Sequence, residues 1–400
     1  MNLFKYSLNW TVVFVALILL TVYPYIFGMM LGLPDEKILN VIFCGLALFL
    51  LLRTQGRQFL PSTVLFVILV QSLTWFAFAL YHDDSSYYTR IFFLVMTAIV
   101  ILLLLRSHSL YKFTYFYNGI LLAQCLLGGI AFVLIFAGLL QPLMIFENGG
   151  RLISFYGLTT SNAVYGNFIR VGGFFDEPGA LAMWGIFALV INKLIFNNRK
   201  IEILLMISLI FTFSAAYFIL LAFYILFFFF RGGKRRNILS LVIITPLLIG
   251  VFYLLRDNEE FKWLTTERFQ GGEIRSKRNE YTENAKIVFY NNYYMGAGGQ
   301  NLEKTIFEQV NDNPYEILAK DGLIGYIITY LPLLVLCYVC RRNKDVILGS
   351  LLLFICYQQR PFHINMMHYF MLYLYMTVVC YNDCKGGAEN IILDKLRKTN

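Results

Sequence analysis

Apolar runs of roughly bilayer-spanning length, separated by short polar stretches, fill most of this chain. A hydrocarbon core about 30 Å thick takes about 20 helical residues. Runs of this kind lie near 10–31, 38–52, 59–81, 91–105, 113–140, 179–196, 201–213, 216–230, 238–255, 322–340, 345–358 and 364–381. The alternating segments of about ten residues that mark a transmembrane β-barrel are absent. The pattern predicts an all-α, polytopic helical membrane protein with about 12 spans, built as a single membrane domain over 1–400. The run 201–230 is the ambiguous one. Thirty helical residues would measure about 45 Å, too long for one untilted pass. Arg199 and Lys200 precede it, and Arg231, Lys234, Arg235 and Arg236 follow, so both flanks favour the same side. A hairpin turning at Ser214-Ala215-Ala216 meets both conditions. A single tilted helix is the alternative and would reverse the side of everything downstream.

With the hairpin, most basic residues of the short loops fall on one side, as the positive-inside rule requires. Only Lys37, Arg90 and Arg360 stand in short loops on the other, where Asp35, Glu36, Asp83 and Asp84 gather. Both termini are then cytoplasmic, with 382–400 a cytoplasmic tail and Ile391 to Arg397 a short basic surface helix. Two large loops, 141–178 and 256–321, face the exterior or periplasm. A loop as long as the second is expected to hold structure of its own. A helix over 273–290 would place Ile274, Tyr281, Ala285 and Val288 near one face, and Arg275 and Arg278 together on another.

Composition agrees. Charged residues make up 14% of the chain, against about a quarter in soluble proteins, and the mean hydropathy is +0.64. The net charge of +9 is dispersed among loops, which points away from nucleic acid. Lys5 precedes the first apolar run and no small-residue cleavage site comes before Pro24, so that run reads as an uncleaved span. None of the seven cysteines falls in the two large loops, so no disulfide framework is expected. Cys337 and Cys340 form a CxxC inside an apolar helix and read as core residues.

No span carries an unmistakable charge at its centre; Glu202 sits near a cytoplasmic end. Ion-coupled transporters usually bury ionisable groups at mid-depth, so that class is disfavoured. The concentrated polar chemistry is in the outer loops. Ile169 to Gly179 reads IRVGGFFDEPG and runs straight into a span, with Pro178 suited to a first helical turn. Asp176 and Glu177 read either as charges at a helix start or as carboxylates that orient or deprotonate a substrate hydroxyl. Arg170 reads either as a solvated loop residue or as a bidentate phosphate anchor. No Asp-x-Asp stands in an outer loop and no His/Cys ligand cluster is visible, so no metal and no cofactor is expected.

These segments resemble a family. Arg170, Gly173 and Pro178 form an Arg-x-x-Gly-x-x-x-x-Pro entering a helix, similar to the periplasmic signature of bacterial O-antigen polymerases and their relatives, the O-antigen ligases. From Arg278 the chain reads RNEYTENAKIVFYNNYYMGAGG, with Gly296 and Gly298 placed as that family's Gly-x-Gly. Asn313 to Gly325, NPYEILAKDGLIG, resembles the segment leading into the next span. The hairpin with Thr212 and Ser214, and Gln359-Arg360-Pro361, resemble it too. Strong local matches cover about 60 residues.

The resemblance implies a multi-pass protein of the bacterial inner membrane with its active site toward the periplasm. It implies transfer of a growing glycan from polyprenyl diphosphate to a lipid-linked repeat unit. Arg170, Arg278 and Arg360, with Arg275 in reserve, would contact the diphosphate. Glu177, and after it Asp312, would act on the acceptor hydroxyl. Gly173, Pro178, Gly296 and Gly298 would shape turns. His363 reads as interfacial. Ligases carry a histidine near Asn311-Asp312-Asn313, whereas His82, His108, His363 and His368 lie elsewhere, which favours a polymerase. The implied partners are a polyprenyl-diphosphate-linked oligosaccharide, membrane lipid and a candidate chain-length regulator. The rivals are a glycan ligase with another acceptor, a flippase or transporter of lipid-linked sugars, and a non-catalytic scaffold.

Overall fold

A computed structural model describes residues 9–31, 36–148, 151–162, 164–229, 277–299, 302, 313–359 and 365–384. The described chain is mostly helical. Among the described residues five helices are long and apolar enough to cross a membrane: Ser62–His82, Ser86–Arg106, Leu110–Phe136, Pro178–Phe196 and Glu316–Val339. Trp10–Thr21, Ile38–Arg53 and Ala215–Phe228 are shorter apolar helices. The expected span 238–255, the tail helix over 391–397, and Arg275, Asp312, Arg360 and His363 lie outside the described residues.

In chain order, α1 is Trp10–Thr21, α2 Phe27–Met30, α3 Glu36–Arg53, α4 Ser62–His82, α5 Ser86–Arg106 and α6 Leu110–Phe136. Strands β1 Met144–Asn148, β2 Arg151–Phe155, β3 Thr160–Ser161, β4 Val164–Tyr165 and β5 Phe168–Ile169 follow. Next come α7 Pro178–Ile191, extended by a π-turn over Asn192–Phe196, then α8 Arg199–Ser208, a 3-10 turn Leu209–Thr212 and α9 Ala215–Phe228. The remaining described helices are α10 Lys277–Asn291, α11 Glu316–Thr329, α12 Leu331–Val339, α13 Lys344–Gln359 and α14 Met366–Cys384.

Three expectations are corrected. The first run is not one helix over 10–31: α1 stops at Thr21, Pro24 stands in the bend, and the single turn α2 follows. Proline lacks the N–H that would continue the helix. The fold is not purely helical either. The loop 141–178 holds an antiparallel sheet in the order β1-β2-β3 and a small hairpin of β4 with β5. Arg90, assigned to a short outer loop, lies inside α5 and is 1% exposed. The run 201–230 does fold back on itself. Phe213 takes a left-handed conformation at the turn, and α9 returns along α8, the Tyr217 hydroxyl donating to the Met206 carbonyl and the Tyr224 hydroxyl to Glu202 Oε1 at 2.6 Å.

By contacts the chain forms two compact units. One takes in Met1–Ile120, Val190–Asn198 and Asn284–Asn400; the other takes in Leu121–Leu189 and Arg199–Glu283. At the centre of the first unit is α14, buried from Met366 to Cys380. Over that stretch it is buried on every side, as a helix surrounded by other helices should be. Gln71 of α4 ties its neighbours together: it accepts from the Tyr373 hydroxyl at 2.6 Å and donates to the Ile328 carbonyl at 2.6 Å. In the second unit the corresponding buried element is the part of α7 from Ala180 to Leu189, all of it buried.

Candidate functional site

In the second unit, the Arg170–Pro178 segment is held in place largely by its own backbone. The Thr160 N–H donates to the Gly173 carbonyl at 2.7 Å and the Gly172 N–H to the Thr160 carbonyl at 2.8 Å. The Gly173 N–H donates to Thr159 Oγ1 at 3.0 Å, and the Phe174 N–H to Gln124 Oε1 of α6 at 3.2 Å. Thr160 Oγ1 donates to the Phe175 carbonyl. Gly173 has φ +63°, a conformation that side chains with a Cβ rarely adopt. A Cβ there would also press on Gln124 and Leu181. The tight turn delivers the chain to Pro178, the first residue of α7, as expected for proline at a helix start.

Two charged side chains project from this frame. Half-buried Arg170 donates from Nε to the Thr212 carbonyl at 3.2 Å, so the hairpin turn fixes its stem. Glu177, 7% exposed, takes an ion pair from Arg151 Nη1 at 3.4 Å. Arg151 stands on β2 and is 55% exposed. Asp176 is buried beside Glu177. The pair lies at the N-terminal end of α7, where the helix dipole is positive and favours anions. Tyr156, next to β2, is buried; burial pushes its phenol up, against a hydrogen bond with Ser154 that pulls it down. The segment therefore combines a positioned guanidinium, a second and accessible guanidinium, and a sheltered carboxylate.

The first unit holds a different cluster. Arg90 donates from Nη1 to Asp321 Oδ2 at 2.6 Å and from Nη2 to Oδ1 at 3.0 Å. Its guanidinium lies over the rings of Trp75 and Tyr87, 4.8 and 4.6 Å from their centres. The Tyr87 hydroxyl adds a bond to Asp321 Oδ1 at 2.9 Å. Directly after Asp321 the helix α11 is interrupted at Gly322, with φ +65° and ψ −170°. The gap is filled by the segment after α10. The Ala297 and Gly298 N–H groups donate to the Ala319 and Lys320 carbonyls, and the Leu323 N–H donates to the Tyr293 carbonyl, each at 2.9 Å. A Cβ on Gly296 would overlap the Lys320 carbonyl, and one on Gly322 the Tyr294 carbonyl. His82 Nε2 donates to the Met295 carbonyl at 3.0 Å.

Of the residues singled out by sequence, Arg170, Gly173, Glu177 and Pro178 thus share one segment. Gly296 and Gly298 shape a turn and a close backbone approach to α11. Arg278 lies in the first turn of α10, where its side chain is outside the described residues. The anticipated apolar face of that helix includes buried Ala285 and Val288. The sequence reading missed Arg151, Gln124 and Arg90. An arginine four residues into an otherwise apolar helix was a signal for Arg90, because such a charge needs a buried partner. Among the described residues no three His, Cys, Asp or Glu side chains converge as a metal-binding group. Comparison with protein-family models, curated proteins and solved structures finds no match to this chain.

Proposed function

We propose that this protein polymerises lipid-linked oligosaccharide repeat units, moving a growing glycan from polyprenyl diphosphate to a single lipid-linked repeat. The observation that supports this most is Arg170, oriented by the Thr212 carbonyl in the segment that enters α7 beside buried Glu177. When the glycosyl bond breaks, the lipid diphosphate leaves with growing negative charge. A preoriented guanidinium stabilises that charge without reorganising, and its planar fork suits phosphate oxygens. Glu177 then orients or deprotonates the acceptor hydroxyl, with Arg151 holding the carboxylate in place. Arg278, Arg360 and Arg275 are assigned to the diphosphate, and Asp312 to the acceptor, from the sequence resemblance alone. The same proposal carries about twelve crossings, cytoplasmic termini, periplasmic loops at 141–178 and 256–321, and an inner-membrane location.

The test is extension of a purified lipid-linked repeat by the full chain in lipid nanodiscs. A polymerase lengthens the repeat with nothing else added and does so in the presence of a chelator. A ligase leaves it unchanged until a different acceptor is supplied, and a flippase moves it across the bilayer without lengthening it. Absence of products longer than one repeat, from protein shown to be folded, would end the polymerase reading.

A further inference from the structure

Beside the Arg90–Asp321 pair, the first unit buries further polar atoms that the ion pair does not use. Arg90 gives both Nη groups to Asp321, and its buried Nε has no hydrogen-bond partner among the described residues. The same is true of Nε1 of Trp75, whose ring lies 4.8 Å from the guanidinium. On α14 it is true of both ring nitrogens of His368 and of the Tyr369 hydroxyl. These two residues are 0% and 1% exposed, and both lie within electrostatic reach of Arg90. The five atoms stand on α4, α5 and α14, three helices that pack on one another. Buried polar groups are almost always bonded, and leaving them dry is costly.

One turn away the same interface is complete. Gln71, four residues before Trp75 on α4, accepts from Tyr373, four residues after Tyr369 on α14, at 2.6 Å. Side chains pair directly in that layer, whereas around Arg90 they stop short of one another. The demands there are mixed. Trp75 Nε1 and Arg90 Nε can only donate, the tyrosine hydroxyl does both, and a neutral histidine offers one donor and one acceptor.

We propose that Trp75, Arg90, His368 and Tyr369 enclose a water-binding site against the Arg90–Asp321 pair. Water accepts from the indole and guanidinium N–H groups and donates to the histidine nitrogen and the hydroxyl oxygen, the mixture that these atoms require. An anion does not fit: Asp321 already neutralises Arg90, and an anion has no proton for the histidine acceptor. Water here keeps the ion pair solvated within the helices and so offsets the desolvation that a dry pair carries. The site is independent of the proposed glycan chemistry.

Hydroxyl-radical footprinting of the full chain in nanodiscs tests this, because a brief radiolysis pulse oxidises buried side chains where they touch bound water. Tyr369 should be labelled several-fold faster than Tyr373 and Tyr117, which are as buried but have hydroxyls bonded within the protein. His368→Phe should slow the labelling of Tyr369 by removing two of the atoms that hold the water. Tyr369→Phe, which deletes one oxygen, should lower the unfolding temperature, since a hydrogen bond to water is lost. In a dry site the same change removes an unbonded polar group and raises it. The proposal is overturned if Tyr369 is labelled no faster than Tyr373, or if Tyr369→Phe raises the unfolding temperature. It is also overturned if Tyr369 is labelled equally fast in folded His368→Phe and in the wild type, because the label then comes from bulk solvent.

Discussion

Arg90, inside α5, and Arg170, in the segment before α7, are both arginines that the chain holds in place, by opposite means. Both forks of Arg90 meet one carboxylate, its faces lie against Trp75 and Tyr87, and 1% of it reaches solvent. Arg170 is half-buried and oriented by a backbone carbonyl, at the start of the turn shaped by Gly173 that leads to Glu177 and α7. The first arrangement uses its charge to join α5 to the interruption in α11. The second holds the stem of a charge against the hairpin turn, in the segment that enters α7. The two arginines differ in burial and in what holds them, a carboxylate for Arg90 and a backbone carbonyl for Arg170, more than in residue type.

The largest effect is expected at the buried ion pair. Arg90→Ala leaves Asp321 buried without its cation, and removing one member of a buried pair costs about 3–5 kcal/mol. Denaturation of the protein in micelles should show a loss of that size, with Asp321→Ala matching it. Replacing both, Arg90→Met with Asp321→Leu, should recover much of the loss, because an apolar pair of similar volume removes the stranded charge. If either single variant were as stable as the wild type, the contrast with Arg170 would disappear.

At Arg170 the sizes are reversed. Arg170→Ala should leave the melting transition nearly in place while reducing repeat extension about 10²–10³-fold, the range for removing one group that stabilises developing charge. Arg170→Lys should be nearly as poor, because an ammonium lacks the planar fork that can bind Thr212 and phosphate together. Arg278→Ala carries the same expectation for extension, with the protein still in the membrane. A parallel fall of stability and activity in Arg170→Ala would make it a second structural arginine.

The two regions were not equally legible. The Arg170–Pro178 turn is local: glycine at a positive φ, proline at a helix start and the hairpin near Ser214 all leave signs within a few residues. The basic flanks of 201–230 were enough to favour a turn over a single long helix. The Arg90 site is joined across 231 positions to Asp321, and nothing beside Arg90 announces that partner. Proximity to a helix end made it look like an outer-loop charge. The strands in 141–178 escaped for another reason. Three of them are two residues long, too short for alternation to register. Arg151 went unnoticed along with them, since its relevance depends on β2 carrying it to Glu177.

Glu177 sharpens the comparison on the acidic side. Glu177→Gln keeps the shape beside Arg151 but removes the negative charge. If the carboxylate takes the acceptor proton, extension should fall about 10²–10⁴-fold with little change in the unfolding transition. If it only positions the hydroxyl, the amide should keep most of the rate and Glu177→Ala should not. Measuring both variants on one lipid-linked repeat separates a proton acceptor from a positioning group.

The smallest effect belongs to Arg151. It is 55% exposed, and its 3.4 Å contact with Glu177 is far looser than the paired bonds of Arg90. Exposed ion pairs contribute about 0–1 kcal/mol, so Arg151→Ala should barely move the unfolding curve, and added salt should erase the difference that remains. Its effect should appear instead in substrate dependence. An accessible guanidinium beside the sheltered carboxylate adds attraction for an anionic substrate before any bond is broken, so KM should rise by a small factor while kcat holds. A fall in kcat as deep as that of Glu177→Gln would instead mean that Arg151 acts in the bond-breaking step, placing two guanidinium groups on the leaving diphosphate within this one segment.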